Sequence, residues 1–528
     1  MGMSNQELRK YTVTGPDLAK LYLLIKLHKS EKGYPGRPVV SQIDDPTYII
    51  CKYLTDILNP IDEEAKSFIK NSFHLKEMLM PVKMGRKYIL VSFDVTALYP
   101  MIPVEKALKV VLKKLKQDVT LKDRTQWTPE QIVTLLKICL ETHFVDFEGN
   151  IWTQVDGTPI GKSISGPIAG IYMAFYEEEL VFKSKNCNMK PLFWKRMRDD
   201  VFCIFQYGEN KVDDFKEFLN KIEPRIQWTH EVQEDGVLNF MDLSIWCNEE
   251  GKLRTKVYRK KVSYFKIFNF KSNRPASSQY GILKGLLNRA HKLCDEGKDL
   301  KAETEFLTDI FIANDYKPAK VDEIVRTYKI EEKDSWKKES DDEQLKKEDK
   351  MFVPYLPKMS EKLQKKLKKL NVKLVFKKGQ TVGNLICNAK IKKEPIRRKN
   401  VVYRIPCRDC NQTYTGETAQ IFEDRRNQHK SCVKTGEEKN GIAVHVMKTK
   451  HSIDWDNFSF LDSDRNYKSR KAKESIYINS LVGGGDSVDS IMNLEKGPCK
   501  LDPCWNRIYP IIRDRVQNRS KKINNNKS

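Results

Sequence analysis

Two adjacent carboxylates, Asp199 and Asp200, lie in MRDDVFCIF between apolar flanks, the pattern of a hairpin turn joining two buried strands. Well upstream, ILVSFDVTALYP sets Asp94 at the end of another apolar run, where a carboxylate can project from a sheet. Phosphoryl transfer to an incoming nucleotide needs two divalent cations: one activates a primer 3′-hydroxyl, the other holds the triphosphate and its leaving group. Carboxylate oxygens are the hard ligands that Mg²⁺ or Mn²⁺ takes, and three converging aspartates meet that need. Singly, each is an ordinary strand-end or turn residue.

Other residues fall around this trio in an order that chance explains poorly. Tyr99 follows Asp94 closely enough to floor a sugar pocket, although an isolated tyrosine there reads as a core aromatic. Between the carboxylate motifs, GTPIGKSISGPIAGIYMAF is a glycine-rich turn entering an apolar helix, and Gly157, Gly161 and Gly166 permit close backbone approach. Such a loop can pack against a templating base pair, with a plain helix-entry loop as the other reading. Upstream, IKLHKSEKGYPGRPVVS carries Lys26, Lys29 and Arg37 around a Pro-Gly turn suited to a two-stranded hairpin. Cations there can hold a triphosphate, and the planar fork of Arg37 matches phosphate best. Downstream, VLNFMDLSIW, with Phe240, Asp242 and Leu243, reads as a further hairpin or, in isolation, as an ordinary strand.

A second constellation lies near the C-terminus. In VVYRIPCRDCNQTYTGETAQIFEDRRNQH, Tyr403 and Tyr414 sit on successive strand-like runs, and Gly416 leads toward a helix bearing Arg425 and His429. Those two are one helical turn apart, on one face, and can address a single phosphate. Glu474 follows in KAKESIYI. Hydrolysis of a phosphodiester needs a base for water, a cation facing the phosphorane and a carboxylate for a metal, and Tyr, Arg and Glu cover these roles. Which tyrosine or histidine is the base stays open. Cys407 and Cys410, with His445 and His451 downstream, read either as a tetrahedral Cys₂His₂ zinc site or as a turn and two surface histidines. Cys499 and Cys504 are assigned nothing.

The elements that must position these residues are legible in outline. A chain of 528 residues exceeds one core, so two or more domains are expected. Lys and Arg outnumber Asp and Glu by 95 to 71, and the formal charge of +24 favours a polyanion, nucleic acid first, over a neutral small molecule. No apolar signal core opens MGMSNQELRK and no run reaches the length of a membrane span, so a soluble protein with free thiols or metal-bound cysteines is expected. Apolar runs near residues 21–27, 89–95, 201–205 and 243–246 predict strands. Thr128-Pro129-Glu130 predicts a helix start before Ile132, Leu135, Leu136 and Cys139. The mixed-charge stretch from Lys329 to Lys350 reads as a solvated helix or a disordered joint, and SEKLQKKLKKL after it as a lysine-rich amphipathic helix fit to lie along phosphate or to cover a surface. The basic cluster KKEPIRRK suits nuclear import or plain nucleic-acid contact, and the polar tail at 516–528 reads as disordered.

The series GRPVVS, SFDVTALYP, GTPIGKSISGP, RDD and FMDL resembles the reverse transcriptases of Penelope-like retroelements, over roughly residues 20–325. Met197-Arg198-Asp199-Asp200 stands where that family usually has Tyr-x-Asp-Asp, and Ile160 where many reverse transcriptases have glutamine; neither change removes a metal ligand. The C-terminal segment resembles the GIY-YIG endonucleases, with Val401-Val402-Tyr403 and Tyr414-Thr415-Gly416 as the two degenerate tripeptides. From that resemblance come Tyr403, Tyr414, Arg425, His429 and Glu474 as the nuclease set and Glu474 as a Mg²⁺ ligand, and the similarity to Penelope-like nucleases implies a zinc-finger-like set at Cys407, Cys410, His445 and His451.

The resemblance implies an α+β multidomain chain: fingers and palm over 1–255, a mainly helical thumb over 256–328, a charged linker and basic connector over 329–398, and a small α/β nuclease over 399–515. It implies a nuclear enzyme that nicks target DNA and primes copying of the element's RNA from deoxynucleoside triphosphates at the exposed 3′-hydroxyl. The rival readings are a domesticated RNA- or chromosome-end-binding protein, an RNA-packaging protein acting through charge alone, and a repair nuclease with a remnant polymerase.

Overall fold

The computed structural model describes residues 11–13, 16–25, 33–43, 45–85, 87–141, 143–145, 148, 150–185, 187–260, 266–329, 349–377, 395–482, 491–495, 497–501, 506 and 508–514. The chain is α+β and divides into two compact units. The larger comprises Ala19–Ile43 with Thr47–Asn388; the smaller comprises Ala389–Ser528 with Met1–Leu18 and Asp44–Pro46. Among the described residues no helix is long and apolar enough to cross a membrane.

At the heart of the larger unit is an antiparallel sheet in the order β6-β7-β3-β8. Its strands are β3 (Ile89–Val95), β6 (Phe193–Met197), β7 (Asp200–Phe205) and β8 (Trp228–Val232). Successive side chains on a strand point to opposite faces, and here both faces are dry. Val91, Phe93 and Val95 with Val201, Cys203 and Phe205 face one core, whereas Leu90, Phe202 and Ile204 face another. That explains why β3 and β7 read as nearly unbroken apolar runs rather than as alternating ones.

Helices α1 (Tyr48–Glu63), α3 (Val104–Gln117), α4 (Pro129–Leu140), α5 (Ser165–Phe175) and α6 (Val212–Ile222) contribute to the first core. The second takes residues from α2 (Ser72–Leu79) and from the antiparallel sheet of β9 (Val237–Phe240), β10 (Leu243–Cys247) and β11 (Leu253–Val257). The expected start of α4 is present as a capping box: the Thr128 hydroxyl accepts from the Gln131 amide, and the Gln131 side chain accepts from the Thr128 amide. Helices α7 (Ala276–Leu293), α8 (Gly297–Ala313) and α9 (Pro318–Thr327) bury Leu283, Leu287, Leu307, Phe311, Val321 and Ile324 together.

Two expected elements are present within larger arrangements. The hairpin of β1 (Ala19–Ile25) and β2 (Gly36–Ser41) is half of a four-stranded sheet, β2-β1-β4-β5, in which β1 runs parallel to β4 (His143–Val145) and β5 (Ile151–Thr153) closes the edge. β4 and β5 have three residues each, too few for alternation to register. The lysine-rich helix exists as α10 (Met359–Lys368), but it bridges two parallel strands, β12 (Asp349–Pro354) and β13 (Val372–Lys377). Lysines interrupting DKMFVP and VKLVFK hid them. The rest of the expected linker, 330–348 and 378–394, and the tail lie outside the described residues.

The smaller unit carries an antiparallel sheet, β15-β14-β16, built from β14 (Val401–Pro406), β15 (Thr413–Thr418) and β16 (Ser459–Ser463). Its core is formed by Val401, Tyr403, Ile405, Phe422, Ile442 and Met492, drawn from the sheet, α11 (Phe422–Thr435), α12 (Gly441–Thr449) and the segment after α13 (Tyr467–Val482).

Candidate active sites

In the larger unit the register decides the first site. Asp94 on β3 is the direct partner of Asp200 on β7, and the Val95 amide donates to the Asp199 carbonyl at 3.1 Å. Asp94 and Asp200 thus stand side by side where β6 turns into β7, with Asp199 in the turn and within electrostatic reach of Asp200. The turn itself is tight, with Arg198 at φ +61°, in the left-handed region that non-glycine residues seldom adopt. The Asp200 carboxyl is pushed up to about 7, first by loss of hydration, then by the charges of Asp199 and Asp94 and a hydrogen bond with Asp94. Clustered carboxylates that resist joint ionisation are a donor set that a divalent cation relieves, so the residues fit Mg²⁺ or Mn²⁺.

Tyr99 sits within electrostatic reach of Asp199, Arg198 and Arg37, and burial raises its phenol. Arg37 is exposed on β2, opposite Leu24. Gly161, expected at the nucleotide, has φ +113°, and a Cβ there would stand 2.3 Å from the Val40 carbonyl oxygen on β2. The same junction is tied by the Val40 amide donating to the Ile160 carbonyl at 2.8 Å. The glycine therefore locks the loop onto the strand next to Arg37. Lys26 and Lys29 lie outside the described residues.

Sequence reading missed what holds the aspartate turn. Arg198 donates to Asp62 on α1 at 2.5 Å and to the Gly166 carbonyl at 3.1 Å. Arg196 is buried and pairs with buried Glu177 at 2.7 Å, which also accepts from Trp194 at 3.0 Å and Ser67 at 2.5 Å. Arg196 donates as well to the carbonyls of Gly170 and Arg198, each at 3.2 Å. Arginines beside the aspartates were the only signal for this network in the sequence; their partners are distant along the chain.

In the smaller unit Tyr403 and Tyr414 come from β14 and β15, with Tyr403 opposite Gly416. A Cβ on Gly416 would lie 2.6 Å from the Tyr403 hydroxyl, so only glycine lets the two strands present both rings together. Ring centroids are 6.4 Å apart between the tyrosines and 5.0 Å from Tyr414 to His429. The Tyr403 hydroxyl lies 2.8 Å from Nε2 of His429 on α11. Burial, then the nearby Arg425 charge, hold the His429 imidazole neutral, pushed down to about 3. Burial raises both phenols, with the Arg425 charge opposing.

Glu474 on α13 is buried, and that burial raises its carboxyl against the pull of Lys471, whose ammonium lies 3.2 Å from it and 3.1 Å from Glu417. All five expected residues gather in one place. Sequence reading missed Glu417, Lys471 and the fully buried Arg470, which pairs with Glu417. It also missed Asn493, whose amide accepts from the Thr415 N–H at 2.9 Å and donates to its carbonyl at 2.7 Å.

Cys407, Cys410, His445 and His451 form a separate cluster, their ligand atoms all within 4.8 Å of one another. Cys407 Sγ is 3.3 Å from His445 Nε2 and 3.7 Å from His451 Nδ1; Cys410 Sγ is 3.8 Å from His445 Nε2. A tetrahedral zinc with ordinary Zn–S and Zn–N bonds sets sulfur and nitrogen about 3.5 Å apart, so this donor set fits the ion.

The model of the animal helix-turn-helix domain matches residues 267–326, the stretch of α7 to α9. No curated protein matches the sequence. Among solved structures, telomerase from Candida albicans, with a fragment of telomeric RNA, is similar at 12% identity over 61% of this chain and 56% of that one, TM-score 0.40. Telomerase from Candida tropicalis gives 13% over 61% and 56%, TM-score 0.37. The Sicinivirus RNA-dependent RNA polymerase gives 9% over 57% and 64%, TM-score 0.37. The chain spans little more than half the length of the telomerase chains it matches. At these values the likenesses add no weight to the geometry.

Proposed function

We propose that this chain is an RNA-directed DNA polymerase joined to a metal-dependent DNA endonuclease, working in the nucleus on a retroelement RNA template and target DNA. The observation that carries the reading is the strand register that sets Asp94 opposite Asp200 with Asp199 at the adjoining turn. Residues 1–255 act as fingers and palm, the helices within 256–328 as thumb, and 399–515 as a GIY-YIG-type nuclease whose cut supplies the primer 3′-hydroxyl.

Divalent cations at the two sites would activate the attacking oxygen and neutralise the leaving one, and zinc at the Cys₂His₂ set would hold the nuclease fold. The chain's own groups bind and orient. Arg37, with Lys26 and Lys29, takes the triphosphate; Tyr99 packs beneath the sugar; the Gly161 loop faces the templating pair. Arg425 faces charge that grows on the scissile phosphate, and Glu474 is the nuclease metal ligand. Extension of a DNA primer on an RNA template tests the reading. Asp199→Ala with Asp200→Ala lowers the rate at least about a thousandfold, the equivalent of the several kcal/mol such a site supplies. A chain that binds the duplex and extends nothing is a binding protein instead.

A further inference from the structure

The His429 ring has two nitrogens, and the residues around it fix which one carries the proton. Asn440 is the N-cap of α12, where its Oδ1 accepts from the amides of Ile442 at 3.1 Å and Ala443 at 3.4 Å. An oxygen committed to two backbone donors leaves the Asn440 Nδ2 pointing the other way, and it lies 2.8 Å from His429 Nδ1. An amide nitrogen only donates, so Nδ1 must accept, and in a neutral imidazole the proton then sits on Nε2. Nε2 is 2.8 Å from the Tyr403 hydroxyl, both groups buried.

We infer that Asn440 is a positioning residue of the nuclease site: it clamps His429 as the Nε2–H tautomer, making the imidazole a fixed hydrogen-bond donor to Tyr403. The inference rests on the nuclease reading proposed above. Both nitrogens of His429 are committed, one lone pair to Asn440 and one N–H to the phenol, so His429 has no free lone pair with which to take a proton from water. The Tyr403 oxygen accepts, and its own proton is directed away from the ring. The cap that starts α12 thus sets the polarity of the hydrogen-bond chain Asn440–His429–Tyr403.

The chain with ¹⁵N-labelled histidine tests this by two-bond ring correlations at neutral pH, with His429→Gln assigning the signal. The native protein shows Nε2–H at His429. Asn440→Asp keeps a capping oxygen but offers a carboxylate to Nδ1, so the signal switches to Nδ1–H and the link to Tyr403 reverses. Asn440→Ser keeps a cap too short to reach the ring, and the two tautomers mix. In both variants kcat for DNA cleavage falls about 10²-fold, the loss of one aligned donor, while KM stays within about twofold. A native Nδ1–H signal, or an unchanged tautomer and unchanged kcat in Asn440→Asp, overturns the inference. If the signals behave as expected and the native chain cuts no DNA, the nuclease reading fails and the clamp stands.

Discussion

At the scale of single residues, both candidate sites hold groups whose charge the fold opposes. The Asp200 carboxyl is held up at about 7 against an ordinary 3.8, so the folded chain binds a proton there that the unfolded chain has released. Its contribution to stability is full below pH 4 and is lost as pH rises to about 7. In thermal melts without divalent metal, Asp200→Asn removes that loss and melts above the native chain at pH 8, and Mg²⁺ raises the native melting temperature but not the variant's. His429 has the opposite sign. Its folded value of about 3 lies below the ordinary 6.5, so its contribution is present above pH 6.5 and fades as pH falls toward 3. Acid unfolding of His429→Gln is accordingly less steep over that range. The types and spacing of these residues were visible in the sequence, whereas their ionisation was not, because it depends on burial and on neighbours from other strands.

At the scale of elements, the aspartate turn is held by a polar network rather than by its own residues. Glu177→Ala leaves Arg196 buried and unpaired, which costs about 3–5 kcal/mol and lowers the denaturant midpoint, whereas a surface pair such as Lys183–Glu179 changes it little. Gly161→Ala drives a Cβ toward the Val40 carbonyl and displaces β2 from the loop; the expected result is a raised KM for deoxynucleotides in primer extension. The strands bearing Asp94 and Asp200, the hairpin between β6 and β7 and the capped start of α4 were legible because each is written in a local run of apolar residues or a cap. β4 and β5 were too short, and β12 and β13 too rich in lysine, to show the same signal. Asp62, Glu177 and Asn493 escaped notice because nothing local marks them, each being defined by a partner far along the chain; for Asn440 only the cap of α12 is local, and its bond to His429 is not.

At the scale of the whole molecule, two units in one chain mean two stabilities. If the Cys₂His₂ set holds zinc, a strong chelator is expected to lower the melting of the unit containing Cys407 and His445 and to leave that of the larger unit in place, which calorimetry would read as a shift in one of two separable transitions. On the proposed reading, the excess of Lys and Arg, 95 against 71, predicts binding of a primer–template duplex that weakens as salt is raised. Polymerase chemistry at Asp94, Asp199 and Asp200 is tested by extension of a DNA primer annealed to RNA, with Mg²⁺ or Mn²⁺, by the native chain and by Asp199→Ala/Asp200→Ala. Complementary DNA is expected from the native chain alone, with duplex binding retained by both; equal extension by both, or binding with no extension by either, would rule out polymerase chemistry at these aspartates.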